Sequence, residues 1–184
     1  QVIDELAGGG SNKTAAIEAL VQSRSPRAVA PIAAQLKDAR PEVRAAAAEG
    51  LGQLGLAEAL PLLRSSQSDE SPFVRSAAVD ALGLLRAPEA VAPIVERLAK
   101  DADGSVRQQA AIALAYLGAQ QAEDALAAAL DDKEAGVRYA ALRTLGAVRS
   151  AKAEMIVAAL AGKLDIRELT TETLAYDQRA LRDL

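Results

Sequence analysis

Two residue types recur with a spacing that chemistry could use. Asp38, Asp69, Asp101 and Asp132 are each followed five residues later by Val-Arg, at Val43-Arg44, Val74-Arg75, Val106-Arg107 and Val137-Arg138. Carboxylates and guanidiniums at a fixed spacing can grip a ligand as a charged ladder, or tie a fold together. Little else offers reactivity. The sequence contains 0 His and 0 Cys, so it has no disulfide, no imidazole or thiolate metal ligand, and no Ser–His or Cys–His nucleophile pair.

The remaining motifs are weaker. The stretch AGGGSNKT at 7–14 resembles a phosphate loop, but a Walker loop needs glycine where Ala7 and Asn12 stand, and no strand precedes it. It reads as a turn between helices. Asn12-Lys13-Thr14 is also a glycosylation sequon, an equally weak signal. Asp101-Ala102-Asp103-Gly104 opens like a calcium loop and lacks the later oxygen ligands and the terminal Glu. It reads as a helix start. The acidic groups Asp69-Glu70 and Asp131-Asp132-Glu134 fall in turns, with no cleft to shift their protonation toward acid–base work. We expect no catalytic residue, no metal, no cofactor and no enzymatic activity.

The elements that position these residues follow from the recurrence itself. The Val-Arg pairs lie 31, 32 and 31 residues apart. Four residues after each Val stands Ala47, Ala78, Ala110 or Ala141. Eight after stands Leu51, Leu82, Leu114 or Leu145, and eleven after Leu54, Leu85, Leu117 or Val148. On a helix these positions share one stripe about 80° wide. Upstream of each Asp lies a second apolar segment (AVAPIAAQL, ALPLLR, AVAPIVERL, ALAAAL). Each unit is therefore helix A, an Asp-bearing turn, and helix B.

Punctuation supports these boundaries. Ser25-Pro26 opens the first full helix A; Pro41, Ser71-Pro72 and Asp103-Gly104 open helices B. Gly55 and Gly118 close helices B. Pro31, Pro61 and Pro93 fall within helix A and are expected to kink it. Four full units result, 25–55, 56–86, 87–118 and 119–149. A divergent or incomplete unit at 1–24 precedes them, with Val2, Ile3 and Leu6 on one helix and Ala16, Ile17, Leu20 and Val21 on the next. A capping unit at 150–184 follows, its last helix carrying Ile166, Leu169, Thr173, Tyr176, Ala180 and Leu184 on one stripe. A helix pair cannot bury its apolar face alone, so the pairs must stack. The expected fold is all-α, a single solenoid over 1–184 of stacked antiparallel helix pairs, about twelve helices in total. Gly50, Ala81, Ala113 and Thr144, seven residues after each Val, are small enough for close contact with the next unit.

The formal charge is −4, from 21 basic and 25 acidic residues, which disfavours nucleic acid as a partner. No apolar run approaches a membrane span, so a soluble chain is expected, cytoplasmic rather than periplasmic, and a monomer. The start at Gln1 without Met reads as a cut point, either a processed end or a fragment boundary.

The pattern Asp-x4-Val-Arg-x2-[Ala/Gln]-Ala-x3-Leu-[Gly/Ala]-x-[Leu/Val] over 25–149 resembles bacterial short HEAT repeats of the phycobilisome-lyase type. The resemblance implies a right-handed α-solenoid, with helices A on the convex side and helices B on the concave side. It also implies pairing between Asp38, Asp69, Asp101, Asp132 and Arg44, Arg75, Arg107, Arg138 across neighbouring units, with each Arg also satisfying turn carbonyls. In such a solenoid, positions two, six, nine and thirteen after the Val line the groove. Position two holds Ala45, Ser76, Gln108 and Tyr139; position six holds Glu49, Asp80, Ile112 and Arg143; position ten, at the flank, holds Gln53, Leu84, Tyr116 and Ala147. Tyr and Arg dominate binding hot spots, so Gln108, Ile112, Tyr116, Tyr139 and Arg143 are the candidate binding residues, with Tyr116 and Tyr139 expected near one end of the groove. The expected function is a protein-interaction module taking a protein or peptide in the concave groove. A bilin-lyase-type subunit is the alternative, and a nucleic-acid-binding solenoid comes third. The HEAT-repeat iron hydroxylases need paired His-Glu motifs, which the absence of His excludes.

Overall fold

The computed structural model describes Leu6, residues 12–118 and 120–148, and Glu154. The capping unit, its stripe from Ile166 to Leu184, and Val2 and Ile3 lie outside the described residues. Among the described residues there are nine α-helices and no strand, against about twelve helices expected for the whole chain. One row consists of α1 (Lys13–Gln22), α3 (Pro41–Leu54), α5 (Pro72–Leu84), α7 (Gly104–Leu117) and α9 (Ala135–Ala147). These are the B helices. The A row consists of α2 (Val29–Ala34), α4 (Leu60–Ser66), α6 (Val91–Lys100) and α8 (Glu123–Ala129). Each B helix packs along the B helix of the next unit, and the pairs stack into an all-α solenoid.

The stripe read from the sequence is the core. Val43, Ala47 and Leu51 are buried, as are their counterparts Val74, Ala78 and Leu82, then Val106, Ala110 and Leu114, then Val137, Ala141 and Leu145. Helix A supplies one large side chain per unit, Ile32, Leu63, Ile94 or Leu126, each without solvent exposure. Burying each such side chain contributes about 1.5–3 kcal/mol.

The prolines act differently from the expected kinks. Each helix A begins as a short 3-10 turn, at Pro26–Ala28, Ala57–Ala59, Pro88–Ala90 and Gln120–Ala122. Pro31, Pro61 and Pro93 fall in the first turn of the α-helix that follows. A proline cannot donate to the carbonyl four residues back, so the α ladder starts at the proline, after a tighter turn.

Four of the described B helices, α1, α3, α5 and α7, are followed by a left-handed residue. Gly55 and Gly118 hold this position at φ 67° and 55°. Arg24 and Arg86, at the equivalent places after α1 and α5, hold it at φ 49° and 50°, where an L side chain is strained.

Units touch through small residues. An ideal Cβ built on Gly52 would stand 2.6 Å from both Cα and Cβ of Ala81, and one on Gly83 would stand 2.9 Å from the Ala113 Cβ. The ninth position after the Val, expected to face the groove, is therefore closed inside the stack in these two units. A helical wheel places the buried stripe of one pair but not the two flanks that neighbouring pairs cover. At the last described junction the Thr144 hydroxyl donates to the Ala111 carbonyl at 2.8 Å.

Candidate functional site

The Asp and Arg columns meet across unit boundaries. The Arg44 guanidinium donates Nε and Nη2 to the two Asp69 oxygens, both at 2.8 Å. Its Nη1 donates to the carbonyls of Asp38 and Ala39 at 3.0 and 3.2 Å, in the turn of its own unit. Arg75 holds Asp101 at 2.9 and 2.8 Å and the Asp69 and Glu70 carbonyls at 3.0 and 3.1 Å. Arg107 holds Asp132 at 2.7 and 2.8 Å and the Asp101 and Ala102 carbonyls at 2.9 and 3.2 Å. Arg138 donates to the Asp132 and Lys133 carbonyls at 2.9 and 3.1 Å. Each ladder Asp also accepts a backbone N–H two residues on, from Arg40, Ser71, Asp103 and Glu134 at 3.0, 2.9, 3.0 and 2.9 Å.

One member escaped the sequence reading. Lys13 donates to Asp38 at 2.9 Å and to the Gln35 side chain at 3.0 Å, taking the place that Arg occupies in later units. It stands 31 residues before Arg44, a signal masked because Asn12 replaces the marker Val. The lysine of the phosphate-loop-like segment is thus a member of the ladder. The calcium-loop-like segment is likewise a helix start: Asp103 caps α7 by accepting from the Ser105 N–H at 2.8 Å.

The protonation equilibria follow these partners. Asp69 is held below the usual carboxylate range, chiefly by hydrogen bonds from Arg44. Arg107 does the same for Asp132, and Arg40 with Lys13 for Asp38. For Asp101 burial pushes upward, and the hydrogen bonds from Arg75 and the Asp103 N–H together outweigh it, leaving the group low. Among the described residues no cluster of carboxylates has metal-holding geometry.

The outer face of the B row has a different chemistry. Position six gives Glu18 on α1, Glu49 on α3, Asp80 on α5, Ile112 on α7 and Arg143 on α9. Glu18, Glu49 and Arg143 are exposed; Asp80 and Ile112 are half-buried. Burial, and then the neighbouring Asp80, push the Glu49 carboxyl above its usual value. Burial pushes Asp80 up as well, against a 2.7 Å hydrogen bond donated by Gln109. Neither acid forms an ion pair with a described residue, and neither does Arg143.

The five candidate binding residues divide along the helices. Gln108 and Tyr139, both half-buried, lie near the starts of α7 and α9, and the Gln108 amide covers Gly136. Ile112 and Arg143 lie mid-helix. Tyr116 lies near the end of α7, 41% exposed, as is Leu84 on α5. Its ring leans over Gly83, 3.1 Å from where a Cβ would stand. Tyr116 and Tyr139 lie on adjacent B helices, with eight residues of offset between them, about 12 Å along the helix axis. At position two, Ala45 is buried and lies outside the exposed face. Phe73, the only Phe, is 57% exposed at the start of α5, a feature that periodicity did not single out.

The family described as HEAT repeats matches residues 11–83, 29–114 and 91–175. No curated protein matches the sequence. The solved complex of CpcE and CpcF of phycocyanin lyase from Nostoc sp. PCC7120 is similar at 26% identity, with TM-score 0.69, over 91% of this chain and 72% of that one. A designed armadillo repeat protein, solved in complex with the peptide (KR)4, is similar at 20% identity, with TM-score 0.64, over 100% of this chain and 95% of that one. An engineered protein gives 20% identity and TM-score 0.60, over 98% and 94%. These last two show the fold alone. The first corrects an expectation: exclusion of any enzymatic role does not stand, because a similar chain at 26% identity is part of a phycocyanin lyase. Missing His and Cys exclude particular reactions in one chain, not membership of an enzyme.

Proposed function

This chain belongs to the HEAT-repeat family, and from that premise we propose that it binds a protein partner on its B-helix face, as a subunit of a lyase-type enzyme assembly. The observation that carries this is the face itself. Leu84 on α5 and Tyr116 on α7 are each 41% exposed, and on the next B helix, α9, Arg143 is exposed and forms no ion pair with a described residue. Large apolar side chains next to an open guanidinium are the composition of a binding hot spot. The B helices of successive units pack along one another, and in the HEAT-type reading this row forms the inner side of the stack. The acids Glu18, Glu49 and Asp80 repel phosphates, which favours protein over nucleic acid. The likeness to the phycocyanin lyase complex supports the place within an enzyme. Among the described residues no helix is long and apolar enough to cross a membrane.

The test is a photo-cross-linking residue placed at Tyr116 on the B row or at Arg64, exposed on α4 of the A row. In cells of the source organism, position 116 is expected to give a discrete protein adduct and position 64 none. Adducts from position 64 alone would reject the face.

The same likeness favours a second reading, in which the bound species is a bilin. Incubation with a free bilin followed by desalting would leave visible absorbance on the protein, and a colourless product would eliminate this reading.

A further inference from the structure

The B face is not uniform along the stack: its open charges are ordered. Glu49 and Asp80 sit on α3 and α5, Ile112 follows on α7, and Arg143 on α9, all at the same helical position. Leu84 and Tyr116 widen the apolar middle, both 41% exposed. From α3 to α9 the order is therefore acidic, acidic, apolar, basic, and Glu18 on α1 extends the acidic end. No described cation neutralises the acids and no described carboxylate neutralises Arg143. Among the described residues the one hydrogen-bond donor to the Asp80 side chain is the neutral amide of Gln109, so a partner's cation would meet a half-buried carboxylate.

Spacing adds a second constraint. Packed helices lie about 8–10 Å apart. An extended polyproline-type chain returns to the same face every three residues, about 9.3 Å. Four stacked helices thus present four sites in register with positions i, i+3, i+6 and i+9 of one extended segment.

Building on the groove reading above, we propose that this face docks an extended segment of a partner protein with complementary order. Two basic side chains three residues apart lie on Glu49 and Asp80. An aliphatic or aromatic side chain then packs against Ile112, Leu84 and Tyr116, and an acidic one pairs with Arg143. Selectivity comes from the order, because a scrambled segment of the same composition, with its acid inside and a base at each end, sets like charges against each other at Asp80 and Arg143.

The test uses labelled peptides with Lys, Lys, Leu and Glu at every third position in a Pro/Ala background, made in both chain directions. The control carries the same four residues in a scrambled order, Lys, Glu, Leu and Lys, in the same places, also in both directions. Binding is read by fluorescence anisotropy at about 0.15 M ionic strength. One direction is expected to bind at least ~10-fold more tightly than either control. Arg143→Glu should abolish that preference, and a peptide whose Glu is replaced by Lys should restore it. Equal binding of the controls, no binding in either direction, or an Arg143→Glu protein with unchanged affinity overturns the proposal. If the peptides fail while the Tyr116 position still forms its protein adduct, the ordered-charge proposal falls and the groove reading stands. Loss of both rejects the groove itself.

Discussion

Arg75 grips Asp101 of the next unit on two parallel hydrogen bonds of 2.9 and 2.8 Å, while its third nitrogen holds the turn carbonyls of its own unit. The Asp101 side chain is 1% exposed, so the pair is sheltered from water and joins two turns at once. Asp101→Ala would strand a guanidinium in that shelter. The expected cost is about 3 kcal/mol, read as a lower urea midpoint. Binding on the B face should be unaffected once the protein is folded, because the ladder lies at the turns. An unchanged midpoint would show that the ladder does not hold the stack together.

Stability should depend on pH in two opposed ways. Asp38, Asp69, Asp101 and Asp132 titrate below the ordinary value of 3.8. The folded state then binds fewer protons than the unfolded one, so their contribution is full above that value and is lost as pH falls through the folded values. Glu49 and Asp80 titrate above their ordinary values of 4.5 and 3.8. Their charged forms disfavour the fold, and that penalty is relieved as the solution is acidified toward those values. Denaturant midpoints should therefore hold or rise slightly on acidification from neutrality, then drop below the ordinary Asp range. Glu49→Gln should flatten the early rise and leave the acid drop in place.

Gly52→Ala should destabilise even though alanine is the better helix former by about 1 kcal/mol. The new methyl would meet the backbone of Ala81 at 2.6 Å, and overpacking of that kind costs about 1–3 kcal/mol. Gly136→Ala meets only the mobile end of the Gln108 side chain, at 2.5 Å, so it should be neutral or mildly stabilising. Thermal melts of the two variants should move apart; equal shifts would mean that α3 and α5 do not touch as described.

Arg86→Gly should stabilise by about 1 kcal/mol, because a glycine takes φ 50° without strain. Gly55→Ala, at the equivalent end of α3, should do the reverse. Calorimetry on both variants checks the pair, and a loss of stability on Arg86→Gly would mean that its side chain does more than occupy the turn.

These cases also show what the sequence makes legible. Columns that recur four times, such as Val43 to Val137 and Asp38 to Asp132, locate the core and the turns because the physical demand repeats with the unit. Lys13 was hidden because two substitutions struck one repeat together, Asn12 for Val and Lys for Arg, although the ladder needs only a cation at that place. Gly52 and Gly83 were placed on the groove because a wheel projects one helix and ignores the neighbours on its flanks. Tyr116 and Tyr139 share a face but not a height, a distinction that angle alone cannot make. An enzymatic role is hard to read from residue types for another reason: a protein that works within an assembly need carry no reactive residue of its own.

The ladder has a direction. Lys13 reaches Asp38, Arg44 reaches Asp69, Arg75 reaches Asp101 and Arg107 reaches Asp132, always from an earlier unit to a later one. On a ribosome the cation is therefore made first and waits, and its carboxylate emerges 25 or 26 residues later, a few seconds at ~5–20 residues/s. Each new turn arrives to a clasp already in place, so the growing chain can be secured in the order in which it is translated.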